Sequence, residues 1–304
     1  MSNSGRKEKT TVEIETHGQI SRSFVRLLSA FDPDGVRVEV SGDSLDAYWI
    51  DTANVGTGAV HIDLDSSLDS IESVTAPDGM EFVAGVQPNV LANRLSFARK
   101  TVGGEFGDPV TLRIEDGPVE TMLRGSTHMT IRRENNAPTL TRETSVRNLN
   151  PESISEAVTP DIDMRWAADI DPQTFNAIVS AFNDSDASHV QLRCGKLFDG
   201  VNENAREFVA GGKSHDDRDI NDEFRVESAA RPAHENATDE TDGSLMSLSY
   251  LDDVASALKQ AKMDQLTVRW RDDFPIAFEF SKAEWGISGR YLVAPRIVSE
   301  EGPP

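Results

Sequence analysis

The sequence predicts an α+β protein made of two similar halves, each with two helices on one face of a mostly antiparallel sheet. The first observation is an internal repeat, because DPVTLRIEDGP at 108–118 matches DQLTVRWRDDFP at 264–275. Both copies alternate as strands do and lead through an Asp-rich turn into a second strand, which predicts a hairpin in each half. The second observation is that an amphipathic helical pattern occurs twice in each half. Helices covering one face of an antiparallel sheet define the α+β class.

The four predicted helices follow from apolar residues at helical spacing. The third helix has Asp171 as its expected N-cap and Pro172 at the first helical position. The fourth has Ser249 followed three residues later by Asp252, which resembles a capping box. The predicted helices cover residues 19–31, 89–100, 171–182 and 249–262.

Composition along the chain predicts the domain boundaries. The stretch between the halves contains three prolines and few apolar residues, and it is expected to be an extended connector. A second polar stretch at 214–244 is expected to form acidic loops inserted in the second half. The predicted divisions are a flexible tail at 1–10, an N-terminal domain at 11–136, a connector at 137–164, a C-terminal domain at 165–297 and an acidic tail at 298–304.

The charge of the chain is strongly negative. Its 304 residues include 52 acidic and 30 basic ones, which gives a net charge of −22. Apolar periodicity persists along most of the chain, so we expect a folded protein whose surface is adapted to concentrated salt, as in a halophile. An acidic protein of an ordinary organism is the alternative. Cys194 is the only cysteine, and no signal peptide or membrane-spanning run is visible, so we expect a soluble cytoplasmic protein.

Motifs for common chemistry are incomplete. Gly212-Lys213-Ser214 ends like a phosphate-binding loop, but Glu207 stands where the first glycine is required. The six histidines do not fall at metal-ligand spacing, and no serine lies in a nucleophile elbow. We therefore predict no catalytic residue, no metal site and no cofactor.

Four segments resemble one family of proteins. YLVAPRIVSEE at 291–301 is similar to the Tyr-x-x-Ala-Pro-Lys/Arg-Ile signature and acidic tail of the archaeal and eukaryotic DNA sliding clamps, the proliferating cell nuclear antigen (PCNA) family. The segments SLDAYWIDTANVGTGAVHIDL (44–64), LNPESISEAVTPDIDM (149–164) and DDFPIAFEF (272–280) are similar to the family's first-domain strands, connector and final hairpin. The resemblance spans roughly residues 11–297.

The resemblance implies a DNA clamp fold that closes head to tail into a homotrimeric ring. Such a ring encircles double-stranded DNA without reading its sequence. It tethers DNA polymerase, the clamp loader and other replication and repair enzymes as a processivity factor, and it is associated with the nucleoid. By analogy the strands at 128–135 and 206–213 would pair between subunits.

Two other functions stay open. The third predicted helix carries no Lys or Arg, which favours a clamp-fold adaptor, or a mixed-ring subunit, that binds partner peptides without encircling DNA alone. An enzyme that shares the architecture is the last alternative, and no residue supports it.

The resemblance also assigns two sets of residues. The cations expected to face DNA are Arg22, Arg26, Arg94, Arg99, Lys100, Lys259 and Lys262. A hydrophobic site for a partner motif with one aliphatic and two aromatic anchors would comprise Ile50, Asn54, Val55, Ile154, Val158, Pro275, Tyr291, Ala294 and Pro295.

Overall fold

The computed structural model separates the chain into two compact units. The first takes Met1–Thr52, Gly58–Ala157 and Lys282–Ser288, and the second takes Ala53–Thr57, Val158–Ser281 and Gly289–Pro304. The structure describes residues 11–41, 44–64, 71–75, 82–95, 109–115, 126–133, 140–154, 163–196, 206–214, 218–233 and 243–296.

The first unit contains two helices and two groups of antiparallel strands. One sheet has the order β5-β1-β7-β8-β9, and a second group has the order β4-β3-β2-β6. The elements are β1 (Thr11–His17), α1 (Gly18–Leu28), β2 (Val36–Ser41), β3 (Ser44–Ile50), β4 (Gly56–Asp63), β5 (Ile71–Thr75), β6 (Phe82–Val86), α2 (Pro88–Leu95), β7 (Pro109–Glu115), β8 (Ser126–Arg133) and β9 (Leu140–Arg147).

Alternating burial explains the strands of this unit. In β3 every second side chain is buried, namely Leu45, Ala47 and Trp49, so one face of the strand packs inward. The Trp49 ring lies directly over Gly58 of β4, where a Cβ atom would come within 2.1 Å of the ring. Gly58 is therefore required for space at this contact.

The second unit has the strand order β14-β11-β12-β13-β10-β15-β16-β17 and two paired helices. Aromatic residues fill its core: the rings of Phe175 and Phe278 lie 5.6 Å apart, and those of Phe208 and Trp270 lie 5.7 Å apart. The elements are β10 (Trp166–Asp169), α3 (Pro172–Asn183), β11 (His189–Lys196), β12 (Arg206–Lys213), β13 (Asp219–Pro232), β14 (Ser244–Ser247), α4 (Leu248–Ala261), β15 (Gln265–Trp270), β16 (Ile276–Lys282) and β17 (Ile287–Val293).

Both predicted hairpins and all four predicted helices are present. β7 pairs with β8, and β15 pairs with β16, in antiparallel register. The second helix is described only to Leu95, so the rest of the predicted 89–100 segment lies outside the described residues. The predicted cap of α3 is confirmed, because the Asp171 carboxylate accepts a hydrogen bond of 2.9 Å from the Thr174 N–H.

The predicted capping box of α4 is wrong. The N-cap is Ser247 instead of Ser249, and the side chain of Asp252 accepts a hydrogen bond of 2.8 Å from Asn183. The helix starts earlier because the Leu248 N–H donates to the Ser188 carbonyl at 3.0 Å, and the Leu248 side chain is buried. A tertiary contact therefore sets the start of this helix.

The expectation of loops throughout 214–244 is also wrong. Asp219–Pro232 forms the 14-residue strand β13, which pairs with β12 and, at its end, with β10. The half-buried side chains of Ile220, Phe224 and Val226 are spaced at even-numbered intervals among mostly acidic residues, and Phe224 packs edge-on against Phe182 at 5.0 Å. Aspartates and glutamates on the solvent face hid this period-two pattern in the sequence.

Ion pairs offset part of the acidic charge on β13. Arg225 donates to Glu223 of the same strand and to Glu207 of β12, both at 2.8 Å, and Arg193 of β11 also pairs with Glu223. Burial opposes ionisation of Glu223, but these two arginines outweigh it and lower the pKa of that carboxyl.

The two strands expected to pair between subunits lie inside their sheets. β8 pairs with both β7 and β9, and β12 pairs with both β11 and β13. Their ladder groups are therefore already engaged, and the prediction for 128–135 and 206–213 is wrong. Among the described strands, β5 and β9 end one sheet, and β6 and β14 are terminal strands as well. The part of β13 at 219–229 also has an unpaired side, because β10 pairs only with 230–232.

Candidate functional site

The last strand ends in a short segment that is held on two sides. After β17, the Ala294 N–H donates to the Val55 carbonyl at 2.8 Å, and the Arg296 N–H donates to the Leu245 carbonyl at 2.8 Å. Ala294 and Pro295 are half-buried. Four of the predicted partner-site residues, Asn54, Val55, Ala294 and Pro295, thus belong to one place in the second unit.

Asn54 adopts a backbone conformation that few residue types accept. Its φ is 57°, in the left-handed region where asparagine is tolerated better than bulky residues. The side chain of Asn54 is exposed, while Val55 is half-buried and accepts the hydrogen bond from Ala294. The turn therefore presents a polar side chain next to the apolar Ala294-Pro295 segment.

Tyr291 supports this segment from inside the unit. It is fully buried, and its ring centroid lies 4.7 Å from that of Phe280. Burial raises the pKa of Tyr291 well above its usual value. The ring is part of the core, so it does not offer a surface contact.

A hydrogen-bonded turn between β15 and β16 contains Pro275 and its aromatic neighbour Phe274, which was not among the predicted site residues. Phe274 is 39% exposed and is the one large apolar side chain found exposed among the described residues. The Ser244 hydroxyl lies 2.7 Å from the Arg271 carbonyl and 3.2 Å from the Phe274 carbonyl, and the Arg271 guanidinium lies 4.4 Å from the Phe274 ring centre. In the sequence, the position of Phe274 directly before Pro275 was the one signal that could have pointed to it.

Two predicted partner-site residues lie in the first unit, and a third is outside the described residues. Ile50 ends β3 in the first unit and is half-buried. Ile154 is also in the first unit, where its side chain lies against Gly35 and Gly85. Val158 lies outside the described residues.

Helix α1 leaves a single polar stripe uncovered. Eight of its eleven residues are buried, and the uncovered ones are Gln19, Arg22 and Arg26. Arg26 is exposed, whereas Arg22 is half-buried and its Nε donates to the Leu95 carbonyl of α2 at 3.2 Å. Part of the Arg22 guanidinium is therefore used to join the two helices.

The other predicted cations are distributed unevenly. Arg94 of α2, and Lys259 and Lys262 at the end of α4, are exposed, whereas Arg99 and Lys100 lie outside the described residues. The exposed polar residues of α3 are uncharged: Gln173, Thr174, Ser180 and Asn183.

The described residues contain no group of three or more His, Cys, Asp or Glu side chains that could hold a metal ion. Within the same ranges, no helix is both long and apolar enough to cross a membrane.

Comparison with solved structures defines the class of fold. The chain superposes on the PCNA of A. fulgidus, determined with the C-terminal region of FEN-1, with a TM-score of 0.67 and 20% identity, over 95% of this chain and 100% of that one. It superposes on Entamoeba histolytica PCNA with a TM-score of 0.67 and 12% identity over 94% and 99% of the chains. It also superposes on a chain of the PCNA2–PCNA3 complex of Sulfolobus tokodaii with a TM-score of 0.67 and 14% identity, over 93% of this chain and 99% of that one. The chain has the PCNA fold, and the predicted fold class is confirmed.

Sequence comparison adds a named relative. No protein-family model matches the chain. Over 57 residues the chain is 44% identical to the DNA polymerase sliding clamp of Methanocella arvoryzae, and the matched part is 19% of this chain and only 22% of the relative. The predicted resemblance to the PCNA-type sliding clamps is therefore confirmed.

Proposed function

We propose that the chain is a DNA sliding clamp without enzymatic activity, whose homotrimeric ring encircles duplex DNA and tethers polymerase and other replication and repair enzymes. The observation that carries the proposal is the superposition on PCNA over 95% of the chain. A tether acts by keeping the polymerase at high effective concentration near its template, so catalytic groups are not required.

Exposed helix cations support DNA as the enclosed partner. Arg26, Arg94, Lys259 and Lys262 are exposed on helices of a chain whose net charge is −22, and α1 and α2 carry no acidic residue. Cations on such faces attract phosphates without reading base sequence. Their attraction weakens as salt rises, and enclosure then keeps the ring on DNA without tight binding.

Sheet edges provide a route to ring closure. Of the sheet edges among the described strands, we place the subunit contact at β9 of one copy and the 219–229 part of β13 of the next, because these two carry opposite charge. β9 carries two arginines and one glutamate, while 219–229 carries four acidic residues and one arginine. This opposite charge favours contact between unlike edges, which is the head-to-tail arrangement that builds a closed ring.

The segment Ala294-Pro295, with Val55 and Pro275, is the proposed docking site for partner motifs. The resemblance assigns Ile50, Ile154 and Val158 to the same site. The related A. fulgidus PCNA was solved with a C-terminal region of FEN-1, which supports a short peptide as the docked partner. The clamp loader and polymerase are expected to use such motifs.

A mixed ring, or an adaptor that does not encircle DNA alone, is the second candidate. The observation that favours it is α3, whose exposed polar residues carry no charge. The Sulfolobus tokodaii complex combines two different PCNAs, so related folds also occur in mixed assemblies.

Solution mass tests the ring directly. We expect light scattering after size exclusion to give about 100 kDa, three times the 33.3 kDa of one chain, in both 0.1 M and molar salt. In 0.1 M salt the double variant Arg142→Glu/Arg147→Glu should shift the mass towards 33 kDa, because both edges would then be acidic. Arg26→Glu on α1 is the matched control and should leave the mass unchanged. A wild-type monomer at every concentration would exclude the homotrimer and favour the second candidate.

A further inference from the structure

The first residues after β9 are fixed to the sheets of the first unit. Asn148 is 5% exposed, and its side chain accepts a hydrogen bond of 2.7 Å from the Thr127 hydroxyl and donates one of 3.0 Å to the Glu115 carbonyl. Buried amide side chains need such partners, so Asn148 holds the chain to β7 and β8. We call residues 148–154 the connector root.

Two glycines form the surface on which the connector root lies. The Leu149 N–H donates to the Gly85 carbonyl at 2.9 Å. A Cβ atom on Gly85 would come within 2.9 Å of both the Leu149 carbonyl oxygen and Ile154 Cδ1. A Cβ atom on Gly35 would come within 2.4 Å of Leu149 Cδ1 and 3.2 Å of Ile154 Cδ1.

Glycine is required at these two positions because a side chain would not fit, and not because the backbone conformation demands it. Neither appears among the described residues with positive φ, so another residue could adopt either backbone. Both side-chain positions are occupied by the connector root. A methyl group at Gly85 meets the backbone of Leu149, which can move only if the connector root moves with it.

A short turn brings Leu149 and Ile154 to the same surface. Pro151–Ser153 forms one 3₁₀ turn, and Asn150 caps it by accepting a hydrogen bond of 3.4 Å from the Glu152 N–H. The Ile154 N–H donates to the Pro151 carbonyl at 3.1 Å. Ile154 remains half-buried, so part of its side chain stays accessible while another part rests on the glycines.

We propose that Gly35 and Gly85 are positioning residues for partner binding, because they fix the place and direction in which the connector leaves the first unit. This inference rests on the proposed function, since it takes Ile154 as a contact of the partner peptide. A preorganised contact spares the peptide the ordering cost of the connector root. Displacing the root moves Ile154 without removing any contact atom.

Peptide affinity separates positioning from stability. The probe is a labelled peptide of the C-terminal region of A. fulgidus FEN-1, and fluorescence anisotropy gives its Kd. We expect Gly85→Ala to weaken binding about tenfold. Hydrogen exchange of the Leu149 and Ile154 amides should become faster in the same variant, which would show that the connector root has moved.

Gly58→Ala is the matched control in the same unit, because the three atoms nearest its methyl group all belong to the Trp49 ring and none to the connector root. It should lower the melting temperature at least as much as Gly85→Ala while leaving the peptide Kd within about twofold. A second control removes the obstacle: Gly35→Ala should weaken binding, and Gly35→Ala/Leu149→Ala should restore most of it, because Leu149 Cδ1 is gone.

The outcomes are distinct. Wild-type protein that fails to bind the peptide would remove the proposed docking function and this inference with it. Wild-type binding together with an unchanged Kd in Gly85→Ala would overturn the positioning role alone. Equal losses of peptide affinity in Gly58→Ala and Gly85→Ala would show that the effect is general destabilisation, which would also overturn the positioning role.

Discussion

One carboxylate joins three strands of the second unit. Asp169 of β10 accepts a hydrogen bond of 2.7 Å from the Thr267 hydroxyl of β15 and pairs through both oxygens with the Arg231 guanidinium of β13. Burial opposes ionisation of Asp169, but the hydrogen bonds from Thr267 and Arg231 and the charges of Arg231 and Arg269 outweigh it. The pKa of Asp169 is therefore lowered.

This shift predicts a pH dependence of stability. Because the folded-state pKa of Asp169 lies below the unfolded value of about 3.9, its contribution is complete above that pH and is lost as pH falls through the folded-state value. We expect Asp169→Asn to melt at a lower temperature than wild type at pH 6–7, with a difference that shrinks below about pH 4. Thermal unfolding followed by circular dichroism measures it. Thr267→Val should reproduce part of the effect, and a difference independent of pH would contradict the assignment.

Pro295 allows a test of the proposed docking site by one substitution. It follows Ala294, is half-buried, and lies outside the β17 ladder. A charge placed there opposes the burial of apolar peptide anchors. We expect Pro295→Asp to abolish stimulation of a polymerase on primed circular DNA, while light scattering still gives about 100 kDa, three times 33.3 kDa. Loss of the trimer in this variant would show that Pro295 is structural instead.

Among the elements, those with strong local signals could be predicted from the sequence. Asp171 and Pro172 mark the start of α3 because capping depends on neighbouring residues only. The start of α4 could not be located in this way, since it depends on the contact between Leu248 and Ser188, which are 60 positions apart in sequence (248 − 188). Local patterns do not contain such contacts.

β13 shows a second limit of prediction at the scale of elements. Its apolar residues Ile220, Phe224 and Val226 follow strand periodicity, but acidic residues between them suggested a loop. This strand makes β12 an interior strand and becomes an edge itself. The missed strand therefore also explains why 206–213 was wrongly predicted to pair between subunits.

The predicted site divides in the same manner. Ala294 and Pro295 were predicted from a short motif and stay a prediction, whereas the burial of Tyr291 and the packing of Ile154 against Gly85 depend on tertiary contacts. Phe274 was missed because an exposed aromatic residue in a turn has no periodic pattern.

At the scale of the whole molecule, the distribution of charge matters more than its sum. The chain carries a net charge of −22, yet the described residues of α1 and α2 include arginines and no acidic side chain. The predicted adaptation to concentrated salt stays a prediction. In molar salt the Debye length is about 3 Å, so only charges that come close to DNA phosphates would still act on it.

Helix cations should control the salt dependence of DNA binding. The slope of log K against log salt is negative. We expect Arg26→Glu/Arg94→Glu to reduce its magnitude by about 1.8, or about 0.9 for each lost phosphate contact. Anisotropy of labelled duplex DNA between 0.05 and 0.2 M salt, about the range in which such slopes are resolved, measures it.

The exposed residue Arg218, which lies before β13 and outside the helices, provides the control. Arg218→Glu should change the slope less than either helix substitution, since it alters net charge without removing a helix cation. Equal effects per substituted arginine at all three positions would contradict a DNA-facing role for α1 and α2.

Closed circular DNA should retain the loaded wild-type ring in salt that releases it from linear DNA.

Lys262 ends α4 with φ at 56° and ψ at 42°, and the Met263 N–H closes the turn on the Leu258 carbonyl at 3.1 Å. Glycine is the usual residue at such a helix end, and a side chain in the left-handed conformation costs about 1–2 kcal/mol. A lysine-to-glycine mutation at this position would remove the cost of the left-handed side chain and delete a cation in one step. In a lineage that no longer needed the charge, we would expect glycine to replace Lys262. The residue found at this position in related proteins would therefore indicate whether selection has kept the charge.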